Sequence, residues 1–133
     1  MRKSNGQRVL VVDDEQQSRR LMATVLAHYG YVSDAAGSGF EALSKIQQSC
    51  PDLIFLDVLM PGMDGFETCR RLRQDPQSQH VPIVMVTALD DQISRLKGLQ
   101  AGANDFLTKP FDTAELMTRT GNLLQIKEFE DFL

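Results

Sequence analysis

The feature that most constrains the fold of this chain is the apolar run at 53–56, which ends in a single carboxylate, Asp57. A run of this length without an alternating polar face is typical of a parallel strand that is covered on both sides. Pro61 and Gly62 follow it and mark a turn. The sequence therefore predicts a buried strand that carries one acid to the edge of a sheet.

Short apolar segments alternate with segments of helical period along the chain. Such alternation predicts a doubly wound α/β fold, in which a five-stranded parallel sheet has helices on both faces and right-handed crossovers. For five strands we expect the flavodoxin-like order 2-1-3-4-5, with ligands at the carboxyl ends of strands 1 and 3. The expected strands are 8–12, 31–36, 52–57, 82–87 and 104–107, and the expected helices are 16–29, 38–48, 64–73, 90–101 and 113–132.

Two of the predicted helices carry apolar side chains at helical spacing. Gly30 fits the end of the first of these helices, and Ser38 fits the cap of the second. Helical spacing places apolar residues on one face, which we expect to pack on the sheet. These residues are Leu21, Met22, Val25 and Leu26 in the first helix and Phe40, Leu43 and Ile46 in the second.

Composition argues against several classes of protein. The net charge of -4 is opposite in sign to a typical nucleic-acid-binding surface, so we expect no direct contact with nucleic acid. No apolar run reaches the ~18 residues that a membrane span needs. The basic and polar residues 1–6 precede no apolar segment of signal-peptide length, and we expect them to form a flexible N-terminus. Cys50 and Cys69 have neither metal-binding spacing nor a disulfide framework, so we expect a cytoplasmic protein.

Five polar side chains follow the predicted strands at the edge where ligands are expected. Asp13 and Asp14 follow the first strand and Asp57 ends the third. Thr87 ends the fourth strand, and the fifth leads to Lys109. Clustered carboxylates are hard oxygen ligands, so we expect Mg²⁺, or Mn²⁺ in its place, among the three acids. Thr87 can donate a hydrogen bond and Lys109 can neutralise charge, and both suit a phosphate oxygen.

This set of groups predicts phosphoryl transfer. Catalysis in such sites consists mostly of positioning and charge neutralisation. Asp57 would be the nucleophile, because a carboxylate can form an acyl phosphate. The chain has no G-x-x-x-x-G-K-[ST] loop, so we do not expect it to bind a nucleoside triphosphate directly.

Four motifs occur along the chain, each at the end of a predicted strand. They are Asp13-Asp14, then Asp57 with Met60-Pro61-Gly62-Met63-Asp64-Gly65, then Thr87-Ala88, and last Lys109-Pro110-Phe111. Together they resemble the receiver domain of two-component response regulators, over about residues 7–126. That family has the strand order expected above, so the strand order and the resemblance are not independent expectations.

The resemblance implies a phosphorylation-dependent signalling switch. Asp57 would accept a phosphoryl group from a phosphohistidine on a sensor histidine kinase or a phosphotransfer protein. Asp14, Asp57 and the backbone carbonyl of Leu59 would bind Mg²⁺, with Asp13 acting through water. Thr87 and Lys109 would contact the phosphoryl oxygens.

The resemblance also implies how the signal leaves the site. Thr87 would move inward and leave space for an aromatic residue of strand 5, which here is Phe106 rather than tyrosine. The face formed by helix 4, strand 5 and helix 5 would then change its affinity for a partner, which includes a second copy of the chain. The Lys109-Pro110 bond is typically cis in the family. Leu59 and Leu89 beside the site offer no polar group to orient water, so we expect slow self-dephosphorylation.

Two other functional classes remain as alternatives. We expect no turnover of a substrate, only self-phosphorylation and self-dephosphorylation at Asp57. A hydrolase is disfavoured because Leu59 stands where haloacid-dehalogenase-like enzymes have a general acid. The second alternative is a regulatory fragment of a larger enzyme, such as a cyclic-dinucleotide enzyme or a hybrid kinase.

Residues 127–133 continue the apolar helical pattern, so we expect them to begin a linker to an output domain or to pair with another protomer.

One further motif points to a different ligand. Residues 37–42 fit G-x-G-x-x-A, follow a predicted strand and open a helix, as a dinucleotide-binding fingerprint does. The motif lies after the second strand rather than the first, and it leaves Asp13, Asp14 and Lys109 without a role. We therefore disfavour dinucleotide binding.

Overall fold

Strands and helices alternate five times in the computed structural model, which describes residues 6–132 and the side chains up to residue 125. The strands are β1 (Arg8–Val12), β2 (Val32–Ala36), β3 (Leu53–Asp57), β4 (Ile83–Thr87) and β5 (Asp105–Thr108). The helices are α1 (Gln16–His28), α2 (Gly39–Gln48), α3 (Gly65–Gln74), α4 (Gln92–Ala101) and α5 (Thr113–Phe132). The predicted elements are all present, with boundaries that differ by one or two residues.

The five strands form one parallel sheet in the order β2-β1-β3-β4-β5, which confirms the predicted fold class and strand order. The register pairs Val12 with Leu56 and Asp57 with Val86, so β1, β3 and β4 end at nearly the same level. Residues that follow these strands therefore meet at one edge of the sheet, as parallel topology requires.

The core consists of two layers, one on each face of the sheet. β3 and β4 are buried along their whole length, which explains why both read as continuous apolar runs. α1 and α5 cover one face and α2, α3 and α4 cover the other. The first layer includes Met22, Leu26, Leu116 and Met117, and the second includes Ile46, Leu72, Ala101 and Phe106.

Four helices begin at side-chain caps. Ser38, Asp64, Asp91 and Asp112 each accept a hydrogen bond from the backbone N–H three residues later, which satisfies one of the free donors of the first turn. The cap of α4 is Asp91, so this helix begins slightly later than predicted from Asp90. α4 ends at Gly102, whose φ of 110° lies in the left-handed region that favours glycine.

A single arginine joins two loops at the edge of the sheet opposite to Asp57. The half-buried Arg73 on α3 donates to the Gly102 carbonyl (2.9 Å), to the Val81 carbonyl (2.7 Å) and to Oδ1 of Asn104 (2.8 Å). It also lies 3.3 Å from the carbonyl oxygens of Ser78 and Gln79. The loops before β4 and before β5 are therefore held by one side chain.

Two residues of the predicted apolar stripes are not in the core. Leu21 is 60% exposed and Phe40 is 59% exposed, so their prediction as packed residues was wrong. A methyl group built on Gly62 would be 3.8 Å from the Phe40 ring, so Phe40 lies beside the loop after β3.

Parts of both ends of the chain lie outside the described residues. The predicted flexible terminus, apart from Gly6, lies outside the described residues, and so do the side chains of the predicted extension 127–133. The backbone of α5 is helical as far as Phe132. Across the described residues, no helix combines the length and the hydropathy that crossing a membrane requires.

Candidate functional site

Three carboxylates from two neighbouring strands meet at the carboxyl edge of the sheet. Asp13 and Asp14 follow β1 and Asp57 ends β3, and one oxygen of each lies within 4.8 Å of the others. Asp13 is 5% exposed and Asp57 is 6% exposed, whereas Asp14 is exposed. The predicted convergence of these three residues is therefore present.

The loop after β3 folds back on Asp57. The N–H of Gly65 donates to the carbonyl of Val58 (2.9 Å), and a Cβ built on Gly65 would lie 2.3 Å from the carbonyl oxygen of Asp57. Position 65 therefore requires glycine, because a side chain would separate α3 from the end of β3. The N–H of Leu59 lies 3.4 Å from Oδ1 of Asp57, so the same loop also contacts the carboxylate.

Lys109 lies between two of the acids. Its Nζ is 3.0 Å from Oδ2 of Asp13 and 3.7 Å from Oδ2 of Asp57. The N–H of Lys109 donates to the carbonyl of Thr87 (2.8 Å), and the Lys109-Pro110 bond is cis, as expected. The ammonium is thus closer to Asp13 than to Asp57 in this state.

The electrostatics of the site follow from burial among like charges. Burial raises the pKa of the Asp57 carboxyl to about 6, and the charges of Asp13 and Asp14 add to this, while Lys109 opposes it. Burial alone would lower the pKa of Lys109, but the hydrogen bond to Asp13 and the charge of Asp57 raise it. Lys109 therefore stays protonated beside a carboxylate that ionises with difficulty.

The residues present fit a divalent cation. The three acids offer hard oxygen atoms close enough to share one ion, which is the chemistry that Mg²⁺ prefers. They outnumber the ammonium of Lys109, so negative charge is left without a partner among the described groups of the site. After burial, repulsion by Asp13 and Asp14 also contributes to the raised pKa of Asp57.

The remaining predicted site residues lie beside this cluster. Thr87 is buried at the end of β4, and its Oγ1 accepts the N–H of Leu89 (3.1 Å), which leaves the hydroxyl proton free to be donated. Leu59 is 57% exposed next to Asp57, and Leu89 is partly buried. The backbone of Leu59 therefore lies in the loop that contacts Asp57, as the predicted carbonyl ligand would require.

Phe106 is buried on β5 against α4. A Cβ built on Gly98 would lie 2.4 Å from Cζ of the Phe106 ring, so the ring fills the space that the missing side chain leaves. The guanidinium of Arg95 covers the ring at 5.5 Å from its centroid. Arg95 also pairs with Asp90 (2.6 Å) in the loop after β4.

The motif at 37–42 forms a helix cap and not a phosphate-binding loop. Oγ of Ser38 accepts the N–H of Glu41 (3.1 Å), and Oε1 of Glu41 accepts the N–H of Gly37 (2.6 Å). This reciprocal arrangement occupies two of the N–H groups that a phosphate would need. Gly39 allows α2 to approach α3, because a Cβ there would lie 2.3 Å from Oγ1 of Thr68.

Sequence reasoning missed three residues that shape the site: Arg19, Arg95 and Gly98. Gly98 did carry a signal, since a glycine inside a helical segment is unfavourable by about 1 kcal/mol and often marks a close approach. Arg19 donates to the Asp13 carbonyl (2.7 Å), but nothing in the sequence separates it from its neighbour Arg20. Arg95 likewise reads as an ordinary surface residue of α4.

Comparison with known proteins gives the same assignment by an independent route. A model of the response regulator receiver domain matches residues 9–120. The chain is 46% identical to the response regulator PleD of Caulobacter vibrioides over 120 residues, which is 90% of this chain and 26% of PleD. The chain spans between about a quarter and about half of the curated relatives it matches.

Two solved structures are similar over nearly the whole chain. The chemotaxis protein CheY4 of Vibrio cholerae gives a TM-score of 0.86 at 34% identity, covering 89% of this chain and 98% of that one. The receiver domain of the sensor histidine kinase PA1611 of Pseudomonas aeruginosa gives 0.84 at 32% identity, covering 90% and 98%, and holds a magnesium ion in its active-site cleft. With the fold and the acidic edge described above, these matches establish that the chain belongs to the response regulator receiver domain family.

Proposed function

We propose that Asp57 accepts a phosphoryl group and that its modification changes the surface formed by α4, β5 and α5. The observation that supports this most is the convergence of Asp57 with Asp13 and Asp14, all within 4.8 Å, beside the Nζ of Lys109. One buried nucleophile, two further acids and one cation are the groups that an acyl-phosphate site uses.

The chain's own residues would act by position and charge. Oδ of Asp57 forms a bond to phosphorus as the bond from phosphorus to the donor's histidine nitrogen breaks. Lys109, now closer to Asp13, has Asp57 within 3.7 Å and would neutralise the new phosphoryl oxygens. The hydroxyl of Thr87 would donate to another of these oxygens.

We infer that Asp14, Asp57 and the backbone carbonyl of Leu59 hold Mg²⁺, or Mn²⁺, with Asp13 acting through water. A bound divalent cation would supply charge neutralisation at the transferring phosphoryl group. An indirect role suits Asp13, because Oδ2 already pairs with Lys109 (3.0 Å) and Oδ1 accepts the N–H of Glu15 (2.9 Å). The magnesium in the PA1611 receiver domain supports the same choice of ion.

We propose a histidine kinase or a phosphotransfer protein as the phosphodonor. Such a partner must cover the surface around Asp57 to deliver its phosphoryl group. An apolar groove opens there, between α1 and the segment after β5, next to Asp13 and Lys109. Leu21, Met22, Ala88, Pro110 and Phe111 line it, which gives a role to the exposed Leu21.

A small phosphodonor tests the site without the partner. With acetyl phosphate and Mg²⁺, intact-mass spectrometry should detect one added phosphoryl group in the wild type. Asp57→Asn should abolish it, and removal of Mg²⁺ with a chelator should suppress it. Asp34→Asn is the matched control, since Asp34 is an exposed acid on the edge strand β2 and pairs with Lys45 of α2. Equal labelling of wild type and Asp57→Asn would refute the proposal.

We expect the acyl phosphate to be lost slowly. Leu59 is 57% exposed beside Asp57, and Leu89 is the other apolar neighbour, so neither side chain can orient an attacking water. After removal of the phosphodonor, the mass of the phosphorylated protein should persist for minutes or longer. A half-life of seconds would contradict the argument from these two leucines.

We propose α4 as part of the surface that a second copy, or another output partner, recognises. Three apolar side chains lie exposed along it at helical spacing: Ile93 (69%), Leu96 (54%) and Leu99 (56%). Arg95 connects this helix with the loop after β4 through Asp90 and also covers the ring of Phe106 on β5. Sedimentation of the phosphorylated and unphosphorylated protein tests self-association, which should increase on phosphorylation and be lost in Leu96→Glu.

A receiver that regulates a larger enzyme remains the alternative form of this proposal. The chain corresponds to 26% of PleD, so the activity of such a protein would belong to residues beyond those matched here. Nothing among the described residues favours a particular output. The full reading frame of the gene would discriminate the two forms.

A further inference from the structure

Arg19 on α1 contacts the acidic edge through the backbone. Its Nη1 donates to the carbonyl oxygen of Asp13 at 2.7 Å, and the side chain is partly buried. That carbonyl belongs to the peptide group joining Asp13 to Asp14. The guanidinium therefore holds the peptide group from which the exposed Asp14 carboxylate projects.

The two acids of this loop are fixed in different ways. The Asp13 carboxylate is held by Lys109 (3.0 Å) and by the N–H of Glu15 (2.9 Å), and the Asp13 N–H donates to the carbonyl of Ala36 (3.0 Å). Within the described part of the chain, the Asp14 carboxylate accepts no hydrogen bond. Its position therefore depends on the backbone, which Arg19 contacts at the Asp13 carbonyl and the Asp13 carboxylate contacts at the N–H of Glu15.

The guanidinium also lies close to the loop after β2. A Cβ built on Gly37 would lie 3.4 Å from Nη1 of Arg19 and 3.9 Å from Oε1 of Glu41. Oε1 of Glu41 accepts the N–H of Gly37 (2.6 Å). Arg19 thus lies between the loop after β1 and the loop after β2.

The acceptor of the Arg19 hydrogen bond is a carbonyl oxygen rather than a carboxylate, and this difference affects cation binding. An arginine paired with one of the three carboxylates would compete with a divalent cation for its oxygen atoms. The bond from Arg19 goes to a carbonyl oxygen, so it adds order to the loop and leaves the carboxylate oxygens available. Groups that orient the ligands of a metal ion typically change its affinity by 10–100-fold when they are removed, as a rough range.

We propose that Arg19 is a positioning residue for divalent-cation binding, which orients the Asp13–Asp14 peptide group so that Asp14 presents its carboxylate to the ion. This inference rests on the proposed Mg²⁺ site. Arg19 touches neither the cation nor the phosphoryl group, so its loss affects the concentration of cation needed and not the chemistry at Asp57.

Calorimetric titration with Mg²⁺ tests this directly. Arg19→Gln should bind Mg²⁺ about tenfold more weakly than the wild type. Arg20→Gln is the matched control, because Arg20 is exposed and its substitution removes the same charge from the same helical turn. It should stay within about twofold of the wild type, as expected for a screened surface charge. Urea unfolding should show that both variants are folded.

Labelling by acetyl phosphate gives a second readout. The Mg²⁺ concentration for half-maximal labelling should rise in Arg19→Gln, while the rate at saturating Mg²⁺ should match the wild type. A lower rate at saturation with unchanged Mg²⁺ dependence would overturn the inference, because it would indicate a structural role. If Arg19→Gln fails to fold, Arg19→Met replaces it, because methionine keeps an unbranched apolar side chain but has no donor for the Asp13 carbonyl, and binding equal to the wild type would overturn the inference.

Two further outcomes separate the inference from the proposed function. Removal of a positive charge near the acids should by itself strengthen cation binding, so equal weakening in Arg19→Gln and Arg20→Gln would indicate a general change in α1 and overturn the role of the Asp13 contact. If the wild type binds Mg²⁺ and Arg19→Gln binds it equally, the inference alone fails. If the wild type does not bind Mg²⁺, both fail.

Discussion

At the scale of single residues, the buried carboxyl of Asp57 lowers the stability of the fold when it ionises. Its pKa is raised from 3.8 to about 6, so between these values the folded chain holds a proton that the unfolded chain releases. Its contribution to stability is therefore full below about pH 4 and is lost as the pH rises through about 6. At neutral pH Asp57 is a buried ionised acid, and Lys109 neutralises its charge only in part.

Asp57→Asn should remove this pH-dependent cost. In urea unfolding without divalent cations, the variant should gain stability over the wild type between pH 4 and pH 7. The gain should be roughly 2–3 kcal/mol, from about two pKa units. Added Mg²⁺ should narrow the gap by stabilising the wild type. A gap that is constant with pH would contradict the raised pKa, and Asp34→Asn, at an acid whose pKa is lowered, should show no such gain.

The sequence located the acids of the site but not their supports. Asp13, Asp14 and Asp57 could be predicted to meet because each follows a strand of known direction. The contact of Arg19 with the Asp13 carbonyl depends on a rotamer and on the packing of Gly37 from another loop. Such contacts join segments that no local pattern relates.

At the scale of elements, α4 is built around a missing side chain. Glycine inside a helix is usually unfavourable relative to alanine by about 0.5–1 kcal/mol. At Gly98 the space is filled by the ring of Phe106, and Met85 Sδ lies 3.1 Å from a Cβ built there. The helix therefore gives up intrinsic stability and gains a buried aromatic contact with β5.

Gly98→Ala should displace the Phe106 ring, because the new methyl group would lie 2.4 Å from its Cζ. NMR signals of the ring should shift, and the variant should not gain the stability that alanine normally brings. Gly121→Ala in α5 is the matched control, since a Cβ there meets none of the described atoms within 4 Å. It should stabilise the protein by about 0.5–1 kcal/mol in urea unfolding. Equal stabilisation by both changes would refute the packing argument.

Helical periodicity predicted the elements well and their exposed edges less well. Met22 and Leu26 are buried as expected, but Leu21 and Phe40 are not. A period identifies the face of a helix that turns inward. It does not identify how far neighbouring elements extend over that face, since this depends on segments distant in sequence.

At the scale of the whole molecule, the sheet has two different ends. The carboxyl edge holds the acids, and the opposite edge is held by Arg73. Its partners are four carbonyl oxygens and the side-chain oxygen of Asn104, so none of them is a carboxylate. Burial lowers the pKa of this guanidinium.

Arg73→Gln should destabilise the protein by about 2–4 kcal/mol, because several buried carbonyl groups would lose their donor. Arg70→Gln is the control from the same helix, where the arginine makes only an exposed pair with Glu67 (3.0 Å). It should change stability by less than about 1 kcal/mol. Chemical unfolding measures both, and similar losses would contradict the role assigned to Arg73.

The short strand β5 restricts where this protein can be substituted if it is engineered as a sensor. Within a few residues it carries the buried ring of Phe106 and leads to Lys109, whose N–H is bonded to the carbonyl of Thr87 (2.8 Å). The proposed phosphorylation site and the proposed output surface therefore share one segment of backbone. New recognition should be engineered at the exposed residues of α4, such as Ile93 and Leu96, and β5 should be left intact.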